Sequence, residues 1–174
     1  MLTPEVLDAD LATIDAYMTD AVSLPKEWRN VSSSRTVWVA PSGFVYKLEP
    51  EAYHGTQCLN EYLAYTEKAG EDFGSITIGD KEREIRLATT YFFSCMGSDG
   101  WKFSLCVQPF IQSAEEDLYS IYTSEIQKEI GRRTGFRDLF SENIVLTDDA
   151  IYIVDMGIGG WFNNQLLTRQ HGKA

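Results

Sequence analysis

Three polar side chains in the last third of the chain have the types and spacing that phosphoryl transfer uses. Asp138 is followed five residues later by Asn143, and Asp155 comes after a predicted strand, an acidic turn and a second strand. In phosphoryl transfer one carboxylate orients the attacking hydroxyl, while an amide oxygen and a second carboxylate hold Mg²⁺ against the phosphates. Gly157 lets the backbone turn sharply beside such a metal. The alternative is structural: Asp138 and Asn143 turn the chain, and Asp155 ends a strand.

These residues resemble the protein-kinase-like superfamily, which includes protein kinases and small-molecule phosphotransferases. The family's catalytic loop reads His-Arg-Asp-Leu-x-x-x-Asn, with Asp-x-Gly downstream. Here Phe136-Arg-Asp-Leu-Phe-Ser-Glu-Asn143 and Asp155-Met-Gly157 occupy those places. The resemblance implies that Asp138 is the catalytic base and that Asn143 and Asp155 are metal ligands. Phe136 replaces the family's histidine, at a position that is mostly structural.

A lysine and a glutamate follow each other in the first half of the chain in the order that the family uses. Lys47 lies in an apolar predicted strand, residues 44–48, where a cation without a partner is costly. Glu61 lies in the middle of a predicted helix, residues 56–69. The resemblance implies that Lys47 contacts the phosphates and is held by Glu61. Two alternatives stay open: Lys47 snorkels from an edge strand, or Glu67 on the same helix is the partner.

The resemblance also implies a nucleotide site, with ATP and Mg²⁺ as cofactors. A strand leaving the sheet is similar to the family's hinge, which makes the Gln108 C=O and the Phe110 N–H the expected contacts to adenine. Pro109 between them has no N–H, at a point where no donor is needed. The glycine-rich loop of the family is absent. Ser33 and Ser34 stand in its place, with hydroxyls and backbone amides that could cover phosphates.

The elements that must position these residues follow from the local pattern. Thr3 and Pro4 begin a helix with an apolar stripe, and residues 56–69 form a second helix that ends at a glycine. Strands are predicted at 35–39, 44–48, 85–95 and 101–107, the last two joined by a Gly97–Gly100 hairpin. Ser113 and Glu116 form a capping box that opens one continuous helix ending near Arg132 and Arg133.

The predicted fold is α+β: a protein-kinase-like two-lobed fold with a five-stranded antiparallel N-lobe sheet and a strongly reduced C-lobe. Residues 1–27 form an acidic helix outside the family pattern, residues 28–112 the N-lobe, and residues 113–174 the reduced C-lobe. Only 17 residues follow Gly157, far fewer than a protein kinase uses to bind peptides. The expected acceptor is therefore a small molecule, the protein itself, or a protein partner that completes the site.

Composition narrows the class of protein. The 174 residues suffice for one well-packed domain or a lean two-lobed unit. A net charge of −11 argues against a broad nucleic-acid interface. Three cysteines without a Cys-x-x-Cys motif favour a reducing compartment, and no secretory signal or membrane span is visible, so the expectation is a cytoplasmic protein with no membrane partner.

Two further functions stay open at this stage. The first is a pseudokinase that acts as a nucleotide- or protein-binding module, favoured by the missing glycines and the short C-lobe. The retention of all four polar catalytic positions, Lys47, Asp138, Asn143 and Asp155, argues against it. The second is an acidic protein that blocks a basic surface through its first helix, since residues 1–22 hold five acidic and no basic side chains.

Overall fold

The computed structural model describes residues 1–19, 22–31, 36–50, 56–114 and 118–156. It is an α+β structure, as the sequence predicts. Its helices are α1 Pro4–Thr19, α2 Thr56–Lys68, α3 Leu118–Ile121 and α4 Ser124–Thr134. Its strands are β1 Arg29–Val31, β2 Thr36–Val39, β3 Phe44–Pro50, β4 Ser75–Ile78, β5 Lys81–Leu87, β6 Tyr91–Met96, β7 Lys102–Pro109, β8 Ile144–Leu146 and β9 Ala150–Ile153.

The chain divides into two compact units. The first contains Met1–Leu59 and Thr89–Phe110, and the second contains Asn60–Ala88 and Ile111–Ala174. The sequence prediction grouped residues 28–112 into one lobe, so the observed division differs from it. The physical reason is a strand pairing: β5 runs parallel to β9 in the second unit, so the segment Asn60–Ala88, which includes most of α2, belongs to that unit.

The first unit contains the predicted five-stranded antiparallel sheet, in the order β1-β2-β3-β7-β6. Side chains alternate between its faces. One face is apolar and carries Tyr46 and Leu48 of β3 with Leu105 and Val107 of β7, all buried against α1. The other face carries Lys47, Glu49 and the residues opposite them on β7. The sheet therefore has one apolar face and one buried polar face.

Helix α1 belongs to the first unit rather than standing outside it. The Thr3 hydroxyl caps its first turn by accepting from the Val6 N–H, as predicted. Ile14 is fully buried in the core of the first unit. The buried Asp10 carboxylate accepts hydrogen bonds from Ser42 Oγ and from Tyr46 Oη at 2.7 Å. Burial, followed by this carboxylate, raises the pKa of Tyr46. The acidic residues of α1 thus include one that fastens the helix to the sheet.

The second unit is built on a four-stranded mixed sheet in the order β4-β5-β9-β8. Its core includes Ile78, Ile85, Ile151 and Ile153, and the α4 residue Ile130 is buried in the same cluster. The hairpin of β8 and β9 is antiparallel and matches the two short strands that the sequence predicts. This hairpin is the element that separates Asn143 from Asp155.

Two predicted elements are divided in the structure. The single strand at residues 85–95 is two strands, β5 and β6, which belong to different sheets. The single helix expected from Ser113 is broken between α3 and α4, because Thr123 has an extended backbone and caps α4 through its side chain. Glu116 of the predicted capping box lies outside the described residues. The end of α4 agrees with prediction, with Arg132 and Arg133 in its last turn.

None of the helices in the described residues is both long enough and apolar enough to cross a membrane.

Candidate phosphotransfer site

The loop that carries Asp138 is anchored on both sides of that residue. Phe136 and Leu139 are buried in the core of the second unit, which supports a structural role for Phe136. The Tyr122 hydroxyl donates to the Leu139 carbonyl at 2.9 Å. Burial raises the pKa of Tyr122 to about 12, so this hydroxyl stays protonated and able to donate. Asp138 is half-buried between the two anchors.

Asn143 connects Asp138 to the strand that precedes Asp155. Its side-chain Nδ2 donates to the Asp138 carbonyl at 3.1 Å. Its own carbonyl accepts from the Val154 N–H at 2.9 Å. A single turn of 3-10 helix, Ser141–Asn143, brings the side chain back over the loop. The second unit therefore brings together three of the residues that the sequence singles out: Asp138, Asn143 and Asp155.

The site gathers negative charge. The pKa of Asp138 is raised above its ordinary value, first by burial and then by the carboxylates of Asp155 and Glu142. Sequence reasoning did not single out Glu142, which occupies a variable position of the motif and gives no signal of its own. Carboxylates that repel one another are stabilised by a cation or a proton between them.

The donor set fits Mg²⁺. In the described ranges, no three His, Cys, Asp or Glu side chains are grouped so that they could hold a metal ion. Phosphotransferase sites need fewer, because Mg²⁺ is bound there by one or two carboxylates together with substrate phosphates and water. The hydrogen bond from Asn143 uses its amide nitrogen, and an amide oxygen is a suitable ligand for a hard cation. Asp155 and Asn143 are the residues that would hold the metal.

Replacing Asp138 with asparagine should stabilise the protein at neutral pH. The raised pKa means that the folded state disfavours the ionised Asp138 carboxylate relative to the unfolded chain. The charge of Asp138 therefore has no effect on the free energy of unfolding at pH values below the ordinary pKa of 3.8. It lowers the free energy of unfolding as the pH rises through the raised pKa. Urea denaturation of Asp138→Asn should show a gain at pH 7 that disappears at pH values below the ordinary pKa.

Asp148→Asn is the matched control for this experiment, because the Asp148 side chain is 85% exposed and lies on the hairpin of the same unit. Its stability should stay within about 0.5 kcal/mol of the wild type. A loss of stability at pH 7 in Asp138→Asn would support the structural reading, in which this side chain only turns the loop.

Lys47 is 6% exposed in β3. The strand lies between β2 and β7, so the alternative of a lysine snorkelling from an edge strand is wrong. Lys47 is directly opposite Cys106 on β7 and belongs to the polar face of the sheet. Its burial keeps this cation out of bulk solvent, and its predicted contact with the phosphates stays a prediction.

Glu61 is fully buried in α2, whereas Glu67 on the same helix is exposed. This difference favours Glu61 over Glu67 as the functional carboxylate. Glu61 follows Cys58 by three residues and so lies on the same face of the helix. The Cys58 thiol donates to the Lys47 carbonyl at 3.3 Å. The ion pair between Lys47 and Glu61 stays a prediction.

The backbone groups predicted to contact adenine are used inside the first sheet. The Phe110 N–H donates to the Gly43 carbonyl at 2.8 Å. Gln108 lies opposite Val45 in the same register, and the period-two alternation of antiparallel pairs directs its C=O toward β3 as well. The hydrogen bond of the Phe110 N–H would compete with the predicted adenine contact, which stays a prediction. The Gln108 side chain is buried and donates to Thr90 Oγ1 at 2.9 Å.

Ser33, Ser34 and Gly157 lie outside the described residues, so their predicted roles stay predictions.

Comparisons of the chain with protein-family models, curated protein sequences and solved structures found no match.

Proposed function

We propose that this chain is an ATP- and Mg²⁺-dependent phosphotransferase of a minimal kinase-like fold. The observation that carries the proposal is the joining of Asp138, Asn143 and Asp155 in one loop and hairpin of the second unit. Asn143 bonds to the backbone of Asp138 at 3.1 Å, and its own carbonyl is bonded by Val154, the residue before Asp155. A set of residues that only turned the chain would not require two carboxylates that destabilise each other.

In this proposal each residue of the second unit has one role. Asp138 accepts the proton of the attacking hydroxyl, a task for which a raised pKa is favourable. Asn143 and Asp155 hold Mg²⁺, which when bound neutralises charge on the phosphates. The hydrogen bond from Asn143 to the Asp138 carbonyl keeps base and metal ligand in a fixed relation.

The proposal includes the kinase-like fold class. It is supported by the order of elements along the chain, because the buried Lys47 lies in the central strand of a five-stranded antiparallel sheet and α2 follows that strand. For the adenine contact, the proposal keeps the Gln108 C=O and the Phe110 N–H, the latter in competition with its hydrogen bond to the Gly43 carbonyl. The acceptor is a small molecule, the chain itself, or a protein partner that completes the reduced second lobe.

Mg·ATP should raise the melting temperature of the protein. A ligand at 100 times its Kd adds roughly 2.7 kcal/mol to the free energy of unfolding. The measurement is a thermal melt at millimolar Mg·ATP, compared with MgCl₂ alone and with ATP in excess EDTA. Incubation with γ-labelled ATP then follows transfer to the chain itself, to water and to added small hydroxyl compounds.

The combination of results separates the two candidate functions. A Mg-dependent shift with transfer of label supports the phosphotransferase. A shift without transfer to any acceptor supports the pseudokinase, whose role would be binding alone. No shift at millimolar Mg·ATP would remove nucleotide binding and the phosphotransferase with it, and would leave only a protein-binding module.

A further inference from the structure

A buried carboxylate on β3 caps the first turn of α2 from a distance. Glu49 is 7% exposed, and its Oε2 accepts hydrogen bonds from the Gln57 N–H at 2.9 Å and the Cys58 N–H at 3.1 Å. These are the second and third residues of α2, whose amides an N-cap side chain normally satisfies. The residue that precedes the helix in sequence is Gly55, which has no side chain to offer. Glu49 therefore supplies the cap.

The same turn of α2 is fixed to β3 at a second point. The Cys58 thiol donates to the Lys47 carbonyl at 3.3 Å and lies 3.9 Å from the Ser104 carbonyl of β7. Lys47 and Glu49 are two residues apart and lie on the same face of the sheet. The start of α2 is thus attached to the short segment of β3 that bears the buried lysine.

We propose that Glu49 is a positioning residue of the phosphotransfer reaction, so this inference rests on the proposed function. Its carboxylate holds the first turn of α2 on β3, and α2 carries the fully buried Glu61 one turn later on the Cys58 face. An ionised carboxylate at a helix N-terminus also interacts favourably with the helix dipole. Loss of Glu49 leaves the buried amides of this turn without their acceptor and frees the helix start to move.

The test compares Glu49→Ala and Glu49→Gln with a matched control, Asp10→Ala. Asp10 is 8% exposed, belongs to the same unit and also accepts two hydrogen bonds, but it does so from the α1 side of the sheet. Both alanine variants remove a buried carboxylate from the first unit, and only one of them is connected to α2. Each is assayed well below its own melting temperature for Mg·ATP turnover, with the chain and water as acceptors.

We expect Glu49→Ala to lower kcat about tenfold with the KM for ATP changed less than about twofold, because orientation is lost in the transition state and not in the ground state. Glu49→Gln keeps an oxygen that can accept both N–H groups, and we expect it to recover most of the rate. Asp10→Ala should keep kcat within about twofold of the wild type, even if its stability falls.

Amide hydrogen exchange provides a readout that does not depend on activity. Exchange at Gln57 and Cys58 should become faster in Glu49→Ala and stay unchanged in Asp10→Ala. Unchanged exchange in Glu49→Ala, or an equal loss of kcat in both alanine variants, would overturn the positioning role. A wild-type protein that transfers no phosphate would overturn the proposed function first, and the exchange rates would then show Glu49 to be a helix cap alone.

Discussion

Asp155→Asn is expected to lose phosphoryl transfer by about a thousandfold and to lose the Mg-dependent part of the nucleotide-induced stabilisation. Asp155 is half-buried and close enough to Asp138 to raise its pKa. Asparagine keeps the size of the side chain and removes its charge, so the cation loses a charged ligand while the packing of the loop is retained. Melts with ATP in the presence and absence of Mg²⁺ would measure the effect.

The unliganded Asp155→Asn protein should be at least as stable as the wild type. Removing one of the mutually repelling carboxylates returns the pKa of Asp138 toward its ordinary value. Asp148→Asn, the same substitution at the 85% exposed position on the same hairpin, should change neither transfer nor the Mg-dependent shift. If Asp155→Asn unfolds without ligand, Asp155 is a structural residue and the assignment of the metal site is wrong.

The parts of the fold that the sequence predicted are those in which local pattern and tertiary packing agree. The Thr3-Pro4 start of α1 and the Gly70 stop after α2 depend on backbone preferences that any tertiary context keeps. Gly70 has a φ of 89°, a conformation that favours glycine. The two strands that flank the acidic turn before Asp155 were equally clear, since each is a short apolar run.

The hairpin of β4 and β5 was not predicted from the sequence. Polar residues in these strands obscure the alternation of apolar and polar positions that indicates a strand. Arg83 of β5 is fully buried, although a charged residue normally indicates an exposed position. The structure explains its burial, since Arg83 donates to the backbone carbonyls of Thr147 and Ile78. The Thr147 carbonyl is 64 residues away in the sequence, where no local pattern connects it to Arg83.

The candidate site was predictable in its residue types and less so in its backbone geometry. Asp138, Asn143 and Asp155 were found because spacing within one loop and one hairpin limits where side chains can lie. The sequence does not show which backbone groups near Gln108 and Phe110 point away from the neighbouring strand, because a shift of one residue along a strand reverses every backbone direction. Only the register of β7 against β3 fixes that parity. Glu49 was overlooked because its role depends on α2 lying beside β3.

Lys47→Met should abolish phosphoryl transfer, with a loss of about a thousandfold or more, while sparing most of the fold. Lys47 is 6% exposed in the middle of a five-stranded sheet, and a buried ammonium is retained only at a cost in desolvation. Methionine has a similar length and adapts to irregular packing, so the sheet can accommodate it. The loss would therefore reflect the missing charge and not a cavity.

The control for the lysine is Lys102→Met, at the exposed end of β7 in the same sheet. That variant should keep the transfer rate within about twofold, because the Lys102 side chain is exposed to solvent at the end of the strand. A second comparison uses Glu61→Gln. If Lys47 and Glu61 act as a pair, the double variant should lose much less than the product of the two single losses, since the second substitution removes an interaction already broken.

The result for Lys47 also discriminates between the proposed functions. Retention of Mg·ATP-induced stabilisation with loss of transfer would place Lys47 in the chemistry and support the phosphotransferase. Retention of both the stabilisation and the transfer would mean that the charge of Lys47 has a role in the sheet and does not act on the phosphates. The match of this lysine to the family pattern would then be accidental. In that case the chain would still be a phosphotransferase, and Asp138, Asn143 and Asp155 would carry the transfer without the charge of Lys47.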